Sequence, residues 1–261
     1  MAEKILIEQR GGVLLMRLHD PATRNALNPE MIEKIRETLQ GLADGVRAIV
    51  FAGSERAFCS GANLWGSEQF DMSAPDYDAG VILATTINPM MQAIKDSKVP
   101  IVTAVRGAAV GIGAALALSA DIVIAGSNSF FVPAFAQLGL GPDSGMPFLL
   151  ARSLGRVRAM ELMLLAEKLP AAKALEWGLI TRVVTDDAVE TTAFELAATL
   201  ARGPTRALAA TRRAVWAGAT VSWEEELLLE SRHQGDLART ADFQEGMAAF
   251  AEKRPPRFTG R

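Results

Sequence analysis

Two glycine-rich segments stand where main-chain chemistry becomes possible. Phe58-Cys-Ser-Gly-Ala-Asn-Leu64 follows the strand-like run Ala48-Ile-Val-Phe51 after a short loop. Gly107-Ala-Ala-Val-Gly-Ile-Gly-Ala-Ala-Leu116 follows Ile101-Val-Thr-Ala-Val105, and each segment opens a helix-like run. Glycine lets a ligand approach the backbone closely, and the first N–H groups of a helix have no partner inside it. Such donors suit an anion, or an oxyanion that develops during a reaction. One turn of this kind is an ordinary strand–turn–helix corner. Two of them, with their neighbours, point to an enzyme that stabilises negative charge with main-chain donors.

Other chemistries are less well supplied. Gly111-Ile-Gly113 begins like a dinucleotide fingerprint, but Leu116 stands where the third glycine is needed and no acid follows at the end of a later strand. Gly141-Pro-Asp-Ser-Gly145 is not a nucleophile elbow, because Ser144 is off-centre. A nucleophile also needs a base. The two histidines, His19 and His233, lie near the chain ends, and neither shares a motif with Cys59, Ser60 or Ser144. Cys59 reads as a packed small residue. No cluster has metal-ligand spacing.

The elements that must position these segments follow from composition and pattern. The chain has 261 residues, 49% of them hydrophobic, enough for one large domain or a core with an appendage. Lys and Arg total 27, Asp and Glu 30, so the net charge of −3 offers no basic field for nucleic acid. A single cysteine excludes an intrachain disulfide framework. Met1 to Ile5 lacks the pattern of a signal peptide, and the longest apolar run, Val105 to Ala120, is broken by Arg106 and glycines, so no membrane span is expected. A cytoplasmic protein is the expectation.

Lys4 to Gln9 and Val13 to Leu18 flank Arg10-Gly-Gly12 as a hairpin. Asn28 is placed to cap a helix with Pro29 at its first position, Ile32, Ile35, Leu39 and Leu42 recur at helical spacing, and Gly45 is expected to end it. Strands at 46–51, 99–105 and 121–125 alternate with helices, which favours an α/β core. Residues 66 to 79 form a polar loop carrying the only tyrosine, Tyr77. After Val184 the pattern turns helical: 187–202, 205–216, 222–238 and 242–252. Ser222 with Glu225, and Asp242 with Glu245, have capping-box spacing. We expect residues 1–200 to form the core with the active site and residues 201–261 a C-terminal helical region.

Six segments in order resemble the crotonase superfamily, the enoyl-CoA hydratases and isomerases. They are Asp20-Pro-Ala-Thr-Arg-Asn-Ala-Leu-Asn28, Phe58 to Leu64, Val105 to Gly113, Leu138-Gly-Leu-Gly-Pro-Asp-Ser-Gly145, Gly203-Pro-Thr205, and Thr240-Ala-Asp-Phe-Gln-Glu-Gly246 with Ala249-Phe-Ala-Glu-Lys253. The resemblance implies an α/β, crotonase-like spiral of repeated β-β-α turns, with a C-terminal helical oligomerisation region that forms homotrimers or homohexamers. It implies an acyl-CoA thioester substrate, with coenzyme A part of the substrate and no separate cofactor. It implies that the N–H groups of Ala62 and Ile112 hold the thioester oxygen. Where Ile112 stands the family usually has glycine. Arg24, Ala26, Leu27, Ser60, Gly61, Asn63 and Leu64 match regions that contact coenzyme A. Phe250 and Lys253 match a C-terminal region that reaches a nucleotide in some members.

Family hydratases use two glutamates, and Ala115 and Phe135 stand at those positions here. Neither can activate water or deliver a proton. One carboxylate remains, Asp143, at a place where the family's double-bond isomerases and some dehalogenases carry aspartate. Leu138, Leu140, Met146, Pro147 and Phe148 surround it in sequence, and burial among such groups raises a carboxyl pKa. Its alternative role is to cap the helix that starts near Gly145. The resemblance therefore implies an enoyl-CoA isomerase with one Asp acid–base group. Its alternatives are a hydratase or lyase that recruits Glu68, Asp71 or water held by Asn63, an aryl-thioester dehalogenase, and a coenzyme A thioester binder with weak catalysis.

Overall fold

A computed structural model describes residues 3–54, 56–63 and 77–261. Leu64, Glu68 and Asp71, and most of the polar loop, lie outside the described residues. The hairpin forms as expected: β1 (Ile5–Arg10) and β2 (Val13–Leu18) pair antiparallel, with Arg10 opposite Val13. β3 (Ala48–Ala52), β5 (Ile101–Val105), β7 (Ile122–Gly126) and β10 (Arg182–Val184) extend this sheet in parallel, in the order β1-β2-β3-β5-β7-β10. Every residue of β3 and β5 is buried. Both faces of these strands are covered, which is why they read as continuous apolar runs rather than alternating ones.

A second sheet, in the order β4-β6-β8-β9, is built from β4 (Ala57–Cys59), β6 (Ala108–Val110), β8 (Phe130–Val132) and β9 (Leu169–Pro170). The spiral is visible in the order of elements. β3, β5 and β7 each join the first sheet, β4, β6 and β8 follow at once in the second, and a helical segment then returns the chain. After β4 that segment is α2 (Ala79–Ile82), a π turn (Leu83–Ile87) and α3 (Asn88–Lys95). After β6 it is α4 (Ile112–Leu118), and after β8 a 3₁₀ turn (Ala134–Leu138) leads to α5 (Met146–Leu165). The strands of the second sheet have at most three residues, too short for a periodic signal in the sequence.

Local chemistry sets the helix ends. α1 (Pro29–Gln40) is capped by Asn28, whose side chain accepts from the Met31 N–H at 2.8 Å. It stops at Gly41, not Gly45, so Leu42 lies past the helix. α6 (Ala171–Glu176) leads to β10, and α7 (Val189–Ala201) lies on the outer face of the first sheet. Val189, Ala193, Ala197 and Ala201 recur every four residues and pack against Val13, Val50, Val102 and Ile124; alanines let the helix lie close.

α8 (Thr205–Gly218), α9 (Trp223–Leu237) and α10 (Ala241–Glu252) complete the chain. The capping box at Ser222 and Glu225 forms. The one expected at Asp242 does not. Thr240 caps α10, and the buried Asp242 carboxylate accepts from the N–H groups of Thr259 and Gly260, tying down the C-terminal tail. α8 is held by Arg212, whose guanidinium pairs with Asp121 at 2.6 Å and donates to the carbonyls of Ser97 and Ile94. α9 buries none of its residues, and Trp223, Leu228, Met247 and Phe250 are exposed. Among the described residues no helix is long and apolar enough to cross a membrane.

Candidate active site

A cleft of about 240 Å³ opens where the two glycine segments meet the Ala134–Leu138 turn and the helical run from Ala79. The segments touch because residue 113 is glycine. A Cβ there would lie 2.6 Å from the Cβ and Sγ of Cys59, so any side chain would push α4 off β4. Gly111, at φ 51 and ψ −124, turns the chain from β6 into α4 in a backbone conformation open mainly to glycine.

This packing leaves two N–H groups at the cleft wall. Leu27 N–H donates to the Gly61 carbonyl at 2.8 Å, and Asn63 N–H donates to the Leu27 carbonyl at 2.8 Å. In such a parallel bridge the N–H of the intervening Ala62 points the opposite way, and no acceptor among the described residues takes it. The sequence reading put this donor at a helix start. It lies instead in an extended bridge, and no helix begins between Ser60 and Asn63. Ile112 does open a helix, α4, so its N–H has no acceptor within the helix. The Ile112 side chain is 3% exposed, packed into the core at the cleft floor.

Asp143 lines the same cleft. Burial pushes its carboxyl above the ordinary value, opposed by the Ser144 hydroxyl, which donates to Oδ1 at 2.7 Å. The capping alternative does not hold. Gly145 occupies the cap position of α5, and the Asp143 side chain takes no backbone N–H among the described residues. Around the carboxylate the cleft is mostly apolar, with Ile82, Leu83, Ile87, Phe135, Leu138 and Leu140 among its walls. Cys59 is fully buried beneath, and burial pushes its thiol up to about 12, which leaves it a packed, inert group. Neither histidine lines the cleft. Among the described residues no group of three metal-ligating side chains occurs.

The profile of the enoyl-CoA hydratase/isomerase family matches residues 8–261. The chain belongs to that family. It is similar to a protein of Rhodobacter capsulatus named probable enoyl-CoA hydratase, with 43% identity over 96% of this chain and 95% of the other. It is similar to the 1,2-epoxyphenylacetyl-CoA isomerase of Escherichia coli, with 39% identity over the full length of both. A crystal structure of an enoyl-CoA hydratase from Polaromonas superposes with a TM-score of 0.89 at 31% identity, covering 98% of this chain and 99% of that one. The family's spiral α/β fold with a C-terminal helical region is thus the fold of this chain.

Within this hydratase/isomerase fold the residues singled out from sequence separate into groups. Ser60, Gly61, Ala62, Ile112 and Asp143 share the cleft. Arg24 stands beside it: its carbonyl accepts from the Ser60 N–H, Ser60 Oγ donates to the Thr23 carbonyl, and the guanidinium is exposed without a partner among the described residues. Asn63 adjoins Ala62 and holds Leu27. Ala26 and Leu27 are buried, and neither lines the cleft. Phe250, 84% exposed on α10, and Lys253, which caps its C-terminal end, do not line the cleft. At the two hydratase glutamate positions, Ala115 is buried within α4 and Phe135 forms apolar wall.

The sequence reading missed the helical wall at 79–95 and, with it, Ile82, Leu83 and Ile87. The available signal was Pro89, which has no N–H to donate. Just before it Asn88 N–H reaches five residues back to the Leu83 carbonyl, making the π turn that lines the cleft. The side chain of Asn25 was also missed. It is fully buried and donates to the Ala57 carbonyl at 2.9 Å, fastening the Arg24 segment to β4.

Proposed function

We propose that this enzyme of the enoyl-CoA hydratase/isomerase family moves the double bond of an enoyl-CoA. The observation that carries the reading is the pairing of one half-buried carboxylate without a cation among the described residues, Asp143, with two uncommitted N–H groups on the same cleft. The acyl-CoA thioester binds with its carbonyl oxygen on the N–H groups of Ala62 and Ile112. Asp143 takes a proton from the α-carbon of a 3-enoyl thioester. The charge spreads into a dienolate and rests mainly on the held oxygen. Protonated Asp143 returns the proton to the γ-carbon and leaves the conjugated 2-enoyl product. One group serves both steps because the proton travels along one face. A carboxyl raised by burial is better matched to such transfer near neutral pH than an ordinary one. Each main-chain donor supplies about 3 kcal/mol of barrier lowering.

The name of one relative, the trans-2-decenoyl-[acyl-carrier-protein] isomerase of Streptococcus mutans at 33% identity, supports this choice within the family, while the Escherichia coli protein above is named for isomerising an epoxide and the Rhodobacter capsulatus protein as a hydratase. So do Ala115 and Phe135, which supply neither acid of a hydratase. We further propose that Arg24 and the Ser60–Asn63 segment hold the coenzyme A portion, that no cofactor beyond the thioester is used, and that the enzyme is a cytoplasmic homotrimer or homohexamer. The exposed apolar side chains of α9 and α10 are the surface such an assembly would cover. Incubation with 3-enoyl and 2-enoyl thioesters, with products separated by chromatography, tests the activity. Interconversion faster than hydration is the expected outcome, and 3-hydroxyacyl thioester as main product overturns it.

A further inference from the structure

We propose that Ser144 is a positioning residue for Asp143, fixing one carboxylate oxygen so that the other faces the transferred proton. The inference rests on the isomerase reading, in which Asp143 is the acid–base group. Ser144 is 2% exposed and stands at φ 54, in the left-handed region. A residue with a Cβ is strained there, and such strain persists only where the surroundings impose it. Gly145 follows at φ 75, so two left-handed residues in succession join the cleft wall to α5. The Met146 N–H closes this turn by donating to the Asp143 carbonyl at 2.9 Å.

The turn sends the two neighbouring side chains to different places. Asp143 borders the cleft. Ser144 does not; it borders a second cavity behind the turn, between α3, α5 and Trp216. From there its Oγ donates to Asp143 Oδ1 at 2.7 Å, while Oδ2 takes no partner among the described residues. The hydroxyl thus reaches the carboxylate from the side away from the substrate. It restrains the carboxylate's rotation and leaves one oxygen free. A donor to the ionised form also favours that form and opposes the effect of burial. The base is therefore kept available at lower pH than burial alone would allow.

Glycine adopts φ 54 without strain, so Ser144→Gly removes the hydroxyl while relieving the backbone. Ser144→Ala removes the hydroxyl and keeps the strain. Both variants and Asp143→Asn are assayed for 3-enoyl to 2-enoyl thioester isomerisation across pH, beside melting curves. Ser144→Gly should melt no lower than wild type, hold KM within about twofold, and lose about tenfold in kcat, the size expected for one hydrogen bond to a charged group. Its acidic limb should move to higher pH, and Ser144→Ala should show the same displacement despite a lower melting point. If Asp143→Asn is inactive while Ser144→Gly keeps the wild-type kcat and acidic limb, the role of Ser144 is refuted and the isomerase reading stands. If both Ser144 variants lose kcat only in step with stability, with the limb unmoved, the residue is structural and the proposal falls. If Asp143→Asn is as active as wild type, both readings fall together.

Discussion

Burial raises the carboxyls of both Asp121 and Asp143 from their ordinary value, yet the molecule treats them differently. Asp121 receives the Arg212 guanidinium at 2.6 Å and the Ile101 N–H at 2.7 Å. It joins α8 to the start of β5, and its charge is answered on the spot. Asp143 has the Ser144 hydroxyl and no cation among the described residues. A fixed cation beside it would hold the carboxylate ionised and weaken it as a base. A half-buried acid with a charged partner stabilises a junction; one without stays able to exchange a proton.

The largest effect is expected where the partnered acid is stripped of its cation. Arg212→Ala should cost about 3 kcal/mol, the lower end for a broken buried pair, because it leaves a half-buried carboxylate and several carbonyls without their donor. Denaturant unfolding measures this. A loss below about 1 kcal/mol would mean that the pair is no more than a surface contact. Activity of the folded fraction should be near that of wild type, since Arg212 does not line the cleft.

The unpartnered acid can work only if something else receives the charge it creates. Ala62→Pro removes one N–H from the cleft wall and should raise the barrier by about 3 kcal/mol while thioester binding persists. Stopped turnover assays with calorimetry of acyl-CoA binding separate the two effects, and circular dichroism checks that proline has not unfolded the turn. A folded variant with normal turnover would remove Ala62 from the mechanism.

Asp143→Asn keeps size and shape but cannot accept the proton. Its isomerase rate should fall by about a hundredfold or more, the lower end for a lost general base. Full activity in this variant would break the comparison at its centre and send the search for an acid to Glu68, Asp71 and the rest of the loop through Asp78.

The smallest effect concerns stability and has the opposite sign to that of Arg212→Ala. Folding raises the Asp143 carboxyl above its unfolded value. The folded state therefore binds this proton more tightly, and stability falls as pH rises through the window between the unfolded and folded values. At neutral pH the ionised carboxylate is a burden. Asp143→Asn should melt at or slightly above the wild-type temperature at pH 7, and the difference should shrink below the ordinary carboxylate range. A melting point lowered as far as that of Arg212→Ala would make Asp143 a structural group like Asp121.

Much of the architecture is legible in local chemistry. Asn28 and Ser222 cap the helices their spacing announces, and the continuous apolar runs at β3 and β5 are buried strands. Signals of the same kind mislead where a distant partner intervenes. Asp242 has the spacing of a cap, but the C-terminal tail claims its carboxylate through Thr259 and Gly260. Gly41 stops α1 before the more conspicuous Gly45. The π turn stands directly before Pro89, yet its place on the cleft follows from nothing local.

For the site, sequence alone determined the residue types: the glycines that permit close approach, the absence of acids at 115 and 135, and the one aspartate left in the Pro-Asp-Ser-Gly turn. These are properties of single side chains and of backbone permissiveness, and they need no fold to be read. Tertiary structure decided which of those residues meet. It brought Cys59 against Gly113, so that the N–H groups of Ala62 and Ile112 border one cleft with Asp143. It buried the side chains of Ala26 and Leu27 and left Phe250 on an outer helix away from that cleft. It also decided the environment of each carboxylate, because burial, and a guanidinium 91 residues away in the chain for Asp121, exist only once the segments have packed.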